Sequence, residues 1–214
     1  QCEFRGNFGR IGATRPPAPG AALSANLTGA NTVIVENCVF ALNTNAVYGG
    51  AVYVASGDLA LRNCTLAGNS APFATGNGGA VFLGTTAGAV IENSILWANE
   101  ATVADELYKG AGAVEVRYSC LSGVGDEALF GAMTLNEVGT NDPLFAVPYT
   151  DLHLKSTAGR WDPVLADWTN DAVHSPSIDA GDPASAYEQE PEGNGGRVNQ
   201  GAYGNTGEAS KTPL

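Results

Sequence analysis

The 214-residue chain contains 22 Asp and Glu residues against 10 Lys and Arg residues, which gives a formal net charge of -12. This charge argues against binding to nucleic acids or to anionic membrane surfaces, because both need clustered basic side chains. The 28 Gly, single Met and 15% charged residues are typical of short strands joined by tight turns, so we predict an all-β protein. Because no apolar run reaches about 18 residues, we expect no membrane span.

One sequence motif recurs five times along residues 1–121. It combines alternating apolar residues, an Asn-Cys or similar pair, a large apolar residue and, three positions later, a second Asn. The copies are 1–4 with Asn7, 33–40 with Asn43, 59–66 with Asn69, 89–96 with Asn99, and 114–121 without a final Asn. The first copy is the tail of a coil and no signal peptide precedes it, so we expect a processed or truncated N terminus.

The copies are similar in motif but uneven in spacing. Equivalent positions at 1, 37, 63, 93 and 118 are separated by 36, 26, 30 and 25 residues. A second motif, Gly-Gly-Ala-Val, begins at Gly49 and at Gly78. Stacked strands with loops of variable length explain this combination. We therefore predict a right-handed parallel β-helix of about four to five coils over residues 1–121, with two or three strands per coil and an incomplete first coil.

Strand alternation assigns the repeated residues to columns that run along the stack. The apolar column contains Phe4, Phe40, Leu66, Leu96 and Leu121. A column of small residues contains Cys2, Cys38, Cys64, Ser94 and Ser119, and a third column contains Asn7, Asn43, Asn69 and Asn99. An Asn side chain at each bend can donate and accept hydrogen bonds along the stack. We interpret all three columns as structural.

An outward-facing position carries side chains of alternating charge. It is occupied by Glu36, Arg62, Glu92 and Arg117. Because adjacent strands lie about 4.8 Å apart, each charge is expected to face opposite charges above and below. We interpret this position as an exposed ladder of ion pairs, each worth about 0 to 1 kcal/mol.

The repeat fades after Leu121, and residues 122–214 are rich in Asp, Pro and Gly. A solenoid must protect the last strands at its open end. We predict that 122–214 forms the terminal coil or coils and an acidic, irregular C-terminal cap.

Several motifs resemble those of the right-handed β-helix repeat proteins of secreted and surface-associated bacterial origin. They are Tyr-Ser-Cys-Leu at 118–121, Asn-Asp-Pro-Leu-Phe at 141–145, Asp-Leu-His-Leu at 151–154, Ser-Pro-Ser-Ile-Asp-Ala-Gly-Asp-Pro at 175–183 and Gly-Gly-Arg-Val-Asn-Gln-Gly-Ala-Tyr-Gly at 195–204. The upstream coils are similar to polymorphic outer-membrane and pectate-lyase-like solenoids. The resemblance implies a β-helix and an extracellular or cell-surface location, and it implies no activity.

Candidate reactive and metal-binding residues are few. Cys38 and Cys64 are close enough in the predicted stack for a disulfide, although Ser in the same column favours simple packing. His153 and His174 lack a nearby nucleophile motif, and we interpret them as surface or cap residues. Calcium binding is an alternative at a series of carboxylates, for which turn formation before Pro is the simpler explanation. These carboxylates are Asp162, Asp167, Asp171, Asp179 and Asp182.

The predicted function is a non-catalytic extracellular stalk, adhesin or fibre module that presents variable loops at 71–77 and 100–110. An alternative is the C-terminal part of a polysaccharide lyase or glycoside hydrolase, although the regular coils contain no motif of either class. A glycan-binding module using Tyr48, Tyr53 or Trp97 is a further alternative. The expected partners are another copy stacked end to end, a preceding domain, or a polysaccharide.

Overall fold

The computed structural model describes residues 1–9, 20–45, 47–123, 134–136 and 139–213, with only the backbone described for 134–136. The described part contains strands and turns, in agreement with the all-β prediction. In chain order the strands are β1 (Cys2–Arg5), β2 (Phe8–Gly9), β3 (Leu23–Ala25), β4 (Thr32–Glu36), β5 (Cys38–Ala41), β6 (Thr44–Asn45), β7 (Val52–Val54), β8 (Asp58–Arg62), β9 (Thr65–Ala67), β10 (Ser70–Ala71), β11 (Val81–Leu83), β12 (Gly88–Glu92), β13 (Ile95–Trp97), β14 (Glu100–Ala101), β15 (Leu107–Lys109), β16 (Val114–Arg117), β17 (Cys120–Leu121), β18 (Thr134–Asn136), β19 (Phe145–Val147), β20 (Asp151–Leu154), β21 (Arg160–Asp162) and β22 (Asp167–Thr169). Within these residues no helix has the length and apolar character needed to cross a membrane.

Four parallel sheets form the walls of the solenoid. Sheet I has the order β4-β8-β12-β16-β18, sheet II β1-β5-β9-β13-β17, sheet III β2-β6-β10-β14, and sheet IV β3-β7-β11-β15. Successive strands belong to different sheets, and each pairs with the equivalent strand one turn away. The structure thus confirms the predicted parallel β-helix.

The number of coils is slightly smaller than predicted. Among the described residues, three turns, β3–β6, β7–β10 and β11–β14, contribute a strand to every sheet, and partial turns flank them. Each complete turn has four strands rather than two or three. The sequence estimate was wrong on both counts because it counted incomplete end copies, and because the two-residue strands of sheet III are too short to show alternation.

A single residue in the left-handed region forms each corner between sheets I and II. Asn37, Asn63 and Asn93 have φ values of 50°, 47° and 49°, and Tyr118 follows at 47°. Asn adopts this conformation at lower cost than most residues, because its short polar side chain can bond locally. The one-residue corner resets the alternation, so that Cys38 and Phe40 both contact the inner core, as do Val33 and Val35 one strand earlier.

The inner core is a stack of buried apolar side chains. Register places Phe4 on Phe40, Phe40 on Leu66, Leu66 on Leu96, and Leu96 on Leu121. Phe40, Leu66 and Leu96 are fully buried. The predicted apolar column is therefore confirmed along five strands.

A second core lies outside the solenoid wall, on the outward face of sheet II. Its members from the solenoid and from the C-terminal segment are Val39, Ala41, Ala67, Ile95, Cys120, Phe145, Leu152, Leu154, Ile178 and Ala202. Hydrogen bonds from Gly201 N to Asn93 O and from Ala202 N to Thr65 Oγ1 attach the segment to successive turns. We call residues 141–213, which include the antiparallel hairpins β19–β20 and β21–β22, the lateral cover.

The position of the lateral cover differs from that of the predicted end cap. It extends along the side of the stack. In the first turn, the Arg5 guanidinium donates a hydrogen bond to Tyr149 O of the cover. In the last described turn, the Tyr118 carbonyl accepts one from Gln200 of the cover. The reason lies in sheet II, where β5 is buried on both faces. An apolar outward face of this kind needs a covering layer along its length.

Candidate functional site

The four Asn residues of the third column form a continuous hydrogen-bonded amide ladder. In each turn the backbone N–H and the side-chain Nδ2 of one Asn donate to Oδ1 of the next, at 2.8–3.0 Å. Nδ2 of Asn43, Asn69 and Asn99 also donates to a backbone carbonyl of the preceding turn. These three side chains are buried, and their polar groups are therefore used entirely in joining turns.

A carboxylate ends the ladder. The fourth copy of the motif lacks an Asn, and Glu106 from the adjoining corner supplies the missing acceptor, receiving hydrogen bonds from the Asn99 side chain and from Ser122. Glu106 is only 3% exposed. Burial raises its pKa to about 7, although the hydrogen bonds from Ser122 and Asn99 act in the opposite direction. Sequence reasoning missed Glu106 because it stands outside the repeated motif.

The charged column forms ion pairs in the predicted order. Arg62 contacts Glu36 at 2.9 Å and Glu92 at 4.0 Å, and Arg117 contacts Glu92 at 2.9 Å. The prediction of an exposed ladder needs correction at Glu92, whose side chain is 12% exposed against 54% for Glu36. The ladder therefore contains one largely buried carboxylate held between two guanidinium groups.

The cysteines are free thiols, and no disulfide joins Cys38 to Cys64. Cys64 Sγ donates to backbone carbonyls, and its amide donates to Ser94 Oγ in the next turn. Burial raises the pKa of Cys64 to about 12. Such a thiol stays protonated and is a poor nucleophile.

The candidate calcium ligands are used in local hydrogen bonds. Their acceptor contacts are Asp162 with the amides of Val164 and Leu165, Asp167 with the amide of Trp168, Asp171 with the Ser156 amide and Arg160, Asp179 with the Gly195 amide and Thr212, and Asp182 with the amide of Ala184. Hairpin β21–β22 does bring Asp162 opposite Asp167. In the described part of the chain, no three His, Cys, Asp or Glu side chains are placed to hold a metal ion.

The aromatic residues suggested for glycan binding are spread over the molecule: Tyr53 lies on sheet IV, Trp97 on sheet II, and Tyr48 in the connection between β6 and β7. Tyr53, Phe82 and Tyr108 stack along sheet IV, with ring centroids 5.3 and 4.7 Å apart and planes within 9° of parallel. Stacked rings cover one another's faces and leave their edges to solvent, whereas sugar rings stack on open faces. Tyr48 is tilted by 45° against Phe82 and is 37% exposed, whereas Trp97 packs beside the second core.

A cavity of about 450 Å³ lies where the lateral cover meets the first turn. It is lined by Gln1, Glu3, Arg5, Thr150, Asp151, His153, Pro163, Tyr203 and Glu208. The His153 ring, 2% exposed, stacks on Tyr203 with centroids 3.6 Å apart. Its Nδ1 lies 2.6 Å from Asp151 Oδ1, and its Nε2 lies 3.4 Å from Glu208 Oε2.

The Asp151–His153 pair can hold and move a proton. Burial raises the pKa of Asp151, but hydrogen bonds from His153 and the charge of Arg160 outweigh it, so that the pKa is lowered overall. The ionised carboxylate orients the imidazole and leaves Nε2 facing a half-exposed carboxylate at the cavity. His153 was interpreted as a surface or cap residue; it lies in the lateral cover, and its ring is buried rather than at the surface. The spacing Asp-x-His on a strand, which puts both side chains on one face, was the available signal.

A second cavity, of about 390 Å³, lies between the last turn and the cover, where Cys120, Ser177, Arg197 and Gln200 are among its lining residues. The Arg197 guanidinium donates to the carbonyls of Gly181 and Ala180, and it also lies over the Tyr118 ring. These contacts hold the guanidinium against the cover and use two of its five N–H donors.

Comparison with known proteins found no matching family model, no matching curated protein and no matching solved structure.

Proposed function

We propose that this chain is a non-catalytic structural or adhesive module of an extracellular surface protein or fibre, without a resident cofactor. The observation that carries the proposal is the repeated use of the same positions for the same contacts. The amide ladder, the apolar column and the ion pairs recur from turn to turn. Side chains that hold turns together in this way stiffen the stack and are unavailable for chemistry.

The corners between sheets III and IV supply the variable surface for adhesion. Loop 71–77 presents Phe73, which is 51% exposed, and Thr102 of the neighbouring loop donates to the Phe73 carbonyl. Insertions here leave the stacked strands in register, because each loop connects strands that pair with other turns.

Screening the purified protein against acidic polysaccharides, with and without calcium, tests the non-catalytic part of the proposal. The expected result is no bond cleavage in either condition. Cleavage that disappears on replacing an acidic residue would overturn the proposal. Antibody labelling of intact cells tests the extracellular location, since an internal protein would be labelled only after permeabilisation.

The cavity at His153 supports a second candidate, acid-base chemistry on a polysaccharide. Its Asp151–His153 pair and the nearby Glu208 and Glu3 carboxylates could exchange protons with sugar hydroxyls. The discriminating variant is His153→Gln, which keeps a polar side chain in the same space. If the site is catalytic, this change abolishes cleavage of a substrate found in the screen, whereas Glu192→Gln, at an exposed position, leaves it unchanged.

A further inference from the structure

One loop of the lateral cover is hydrogen-bonded to successive turns of the solenoid. We call residues 199–205 the docking loop. Its contacts with the wall are Asn199 O with Asn63 Nδ2 at 3.3 Å, Gly201 N with Asn93 O at 2.8 Å, Ala202 N with Thr65 Oγ1 at 2.9 Å, and the carbonyls of Ala202 and Gly204 with Asn37 Nδ2 at 3.1 and 2.8 Å. Because the three Asn residues also form the corners between sheets I and II, the fold holds these contacts of the loop in fixed positions.

The docking loop lies directly against the wall. Gly201 has a φ of 91°, and a Cβ there would lie 2.8 Å from Thr65 Oγ1. At Gly204, a Cβ would lie 2.1 Å from Asn199 O and 2.5 Å from Asn63 Nδ2. Since the approach is this close, a small displacement of the loop breaks several of its hydrogen bonds together. The loop is therefore either docked or open.

A single carboxylate oxygen joins the two ends of the docking loop. Glu190 Oε1 accepts the backbone N–H of Asn199 at 2.8 Å and that of Asn205 at 2.9 Å. The amide of Glu190 donates to Tyr187 O, which fixes the turn that carries the side chain. Glu190 is only 6% exposed. The docked position of the loop thus depends on a buried carboxyl group.

The other oxygen of this carboxyl group has no partner among the described residues. Glu190 Oε2 is buried, and no described N–H or O–H group donates to it. An ionised carboxylate in this position is a buried charge with one unbonded oxygen, which is costly. Protonation at Oε2 removes the charge and leaves both hydrogen bonds at Oε1 in place. The docked loop therefore favours the protonated form.

Neighbouring segments of the cover add further negative charge. Burial and the charge of Asp179 raise the pKa of Glu190 to about 7, although the hydrogen bonds from Asn199 and Asn205 act in the opposite direction. The Asp179 carboxylate itself is bonded to the Gly195 amide and to Thr212. The other titratable groups of the adjoining segments are Glu188 and Glu192 on the same turn, Tyr203 in the docking loop, Asp182 beyond Asp179, and Glu208 and Lys211 after the loop.

We propose that Glu190 is a pH-sensitive switch, whose ionisation loosens the docking loop from the wall and uncovers part of the outward face of sheet II. In the open loop, water solvates the carboxylate and returns it to its ordinary pKa of about 4.5. The docked state therefore binds more protons than the open state between about pH 4.5 and 7, so the free energy of opening falls as pH rises through this window. This regulation goes beyond the structural function.

Native-state amide hydrogen exchange, followed by NMR at pH 6 and pH 8, tests the switch. The protection factors of the Asn199 and Asn205 amides, which correct for the intrinsic effect of pH, should be about 10-fold lower at pH 8. Glu190→Gln keeps the size of the side chain and removes its charge, so the two protection factors should then be equal at both pH values. Glu192→Gln, at an exposed position, should behave as the unaltered protein.

Three results would overturn the proposal. The first is equal protection of Asn199 and Asn205 at the two pH values in the unaltered protein, a measurement that needs no variant. The second is an unchanged pH dependence in Glu190→Gln, since another group would then cause it. The third is equal loss of protection at the buried Leu66 of β9, because the opening would then be global rather than confined to the loop. None of these results bears on the non-catalytic function, which the polysaccharide screen tests separately.

Discussion

Asn69 shows how a single residue joins three turns. Its Oδ1 accepts two hydrogen bonds from Asn43, and its Nδ2 donates to Phe40 O and Asn99 Oδ1. Replacement by Ala leaves these buried groups without partners, each costing about 1 to 3 kcal/mol. We expect Asn69→Ala to lower the free energy of unfolding by at least about 3 kcal/mol in urea titrations.

Asn7→Ala is the matched control at the open end of the ladder. Asn7 is exposed, and no described residue donates to its Oδ1. Water can replace its contacts, so we expect a loss below about 1 kcal/mol. Equal losses for the two variants would mean that the ladder does not hold the turns together.

Glu106 makes the stability dependent on pH. Its pKa, about 7 in the folded chain, lies above its usual range, so the folded state binds more protons than the unfolded state between about pH 4.5 and 7. The free energy of unfolding therefore falls as pH rises through this window, by on the order of 3 kcal/mol from this group. We predict that Glu106→Gln is more stable than the unaltered protein at pH 8, and that the difference disappears near pH 4.

Thermal unfolding of both proteins across this pH range measures the effect. Glu190, whose pKa burial also raises to about 7, keeps part of the slope in the Glu106→Gln protein. Glu192→Gln, at an exposed position, should follow the unaltered protein. A Glu106→Gln curve that runs parallel to the unaltered one would contradict the assignment.

Residue patterns could predict the amide column and the order of the charges, because each occurs at a fixed distance from the Asn-Cys pair. They could not predict that Glu92 is largely buried or that Glu106 completes the ladder. Both depend on contacts between different elements. Arg62 and Arg117 of neighbouring turns enclose Glu92. Glu106 reaches Asn99 from a corner seven residues later in the chain.

At the scale of elements, the lateral cover is the main addition to the predicted fold. Leu152 is 1% exposed in the second core, on the cover side of sheet II. Truncating such a side chain costs about 2 to 5 kcal/mol. We expect Leu152→Ala to lower the urea midpoint clearly, whereas Val164→Ala, at a residue 91% exposed in a hairpin loop, should have almost no effect.

If Leu152→Ala and Val164→Ala unfold at the same urea concentration, the cover is not packed on sheet II as described. The sequence did contain a signal for this packing, since Val39 and Ile95 are apolar although they alternate with the inward apolar residues Phe40 and Leu96. Alternation alone could not identify the covering segment, because its irregular loops have no period that pairs with the repeat.

At the scale of the whole molecule, the inner and second cores share sheet II. Val39 and Ala41 contact the cover while their neighbours Cys38 and Phe40 contact the solenoid interior. Because the strands of sheet II contribute to both cores, the stability of each core depends on the other. The predicted division into coils at 1–121 and a terminal segment at 122–214 therefore need not correspond to two folding units.

Equilibrium unfolding with two probes tests this coupling most directly. Far-UV circular dichroism reports the solenoid strands, and the fluorescence of Trp161 and Trp168 reports the cover once Trp97 is replaced by Phe. If the cover and the solenoid form one structural unit, the two urea transitions coincide in midpoint and slope. Two separated transitions, with the tryptophans exposed while the strands remain intact, would contradict that account.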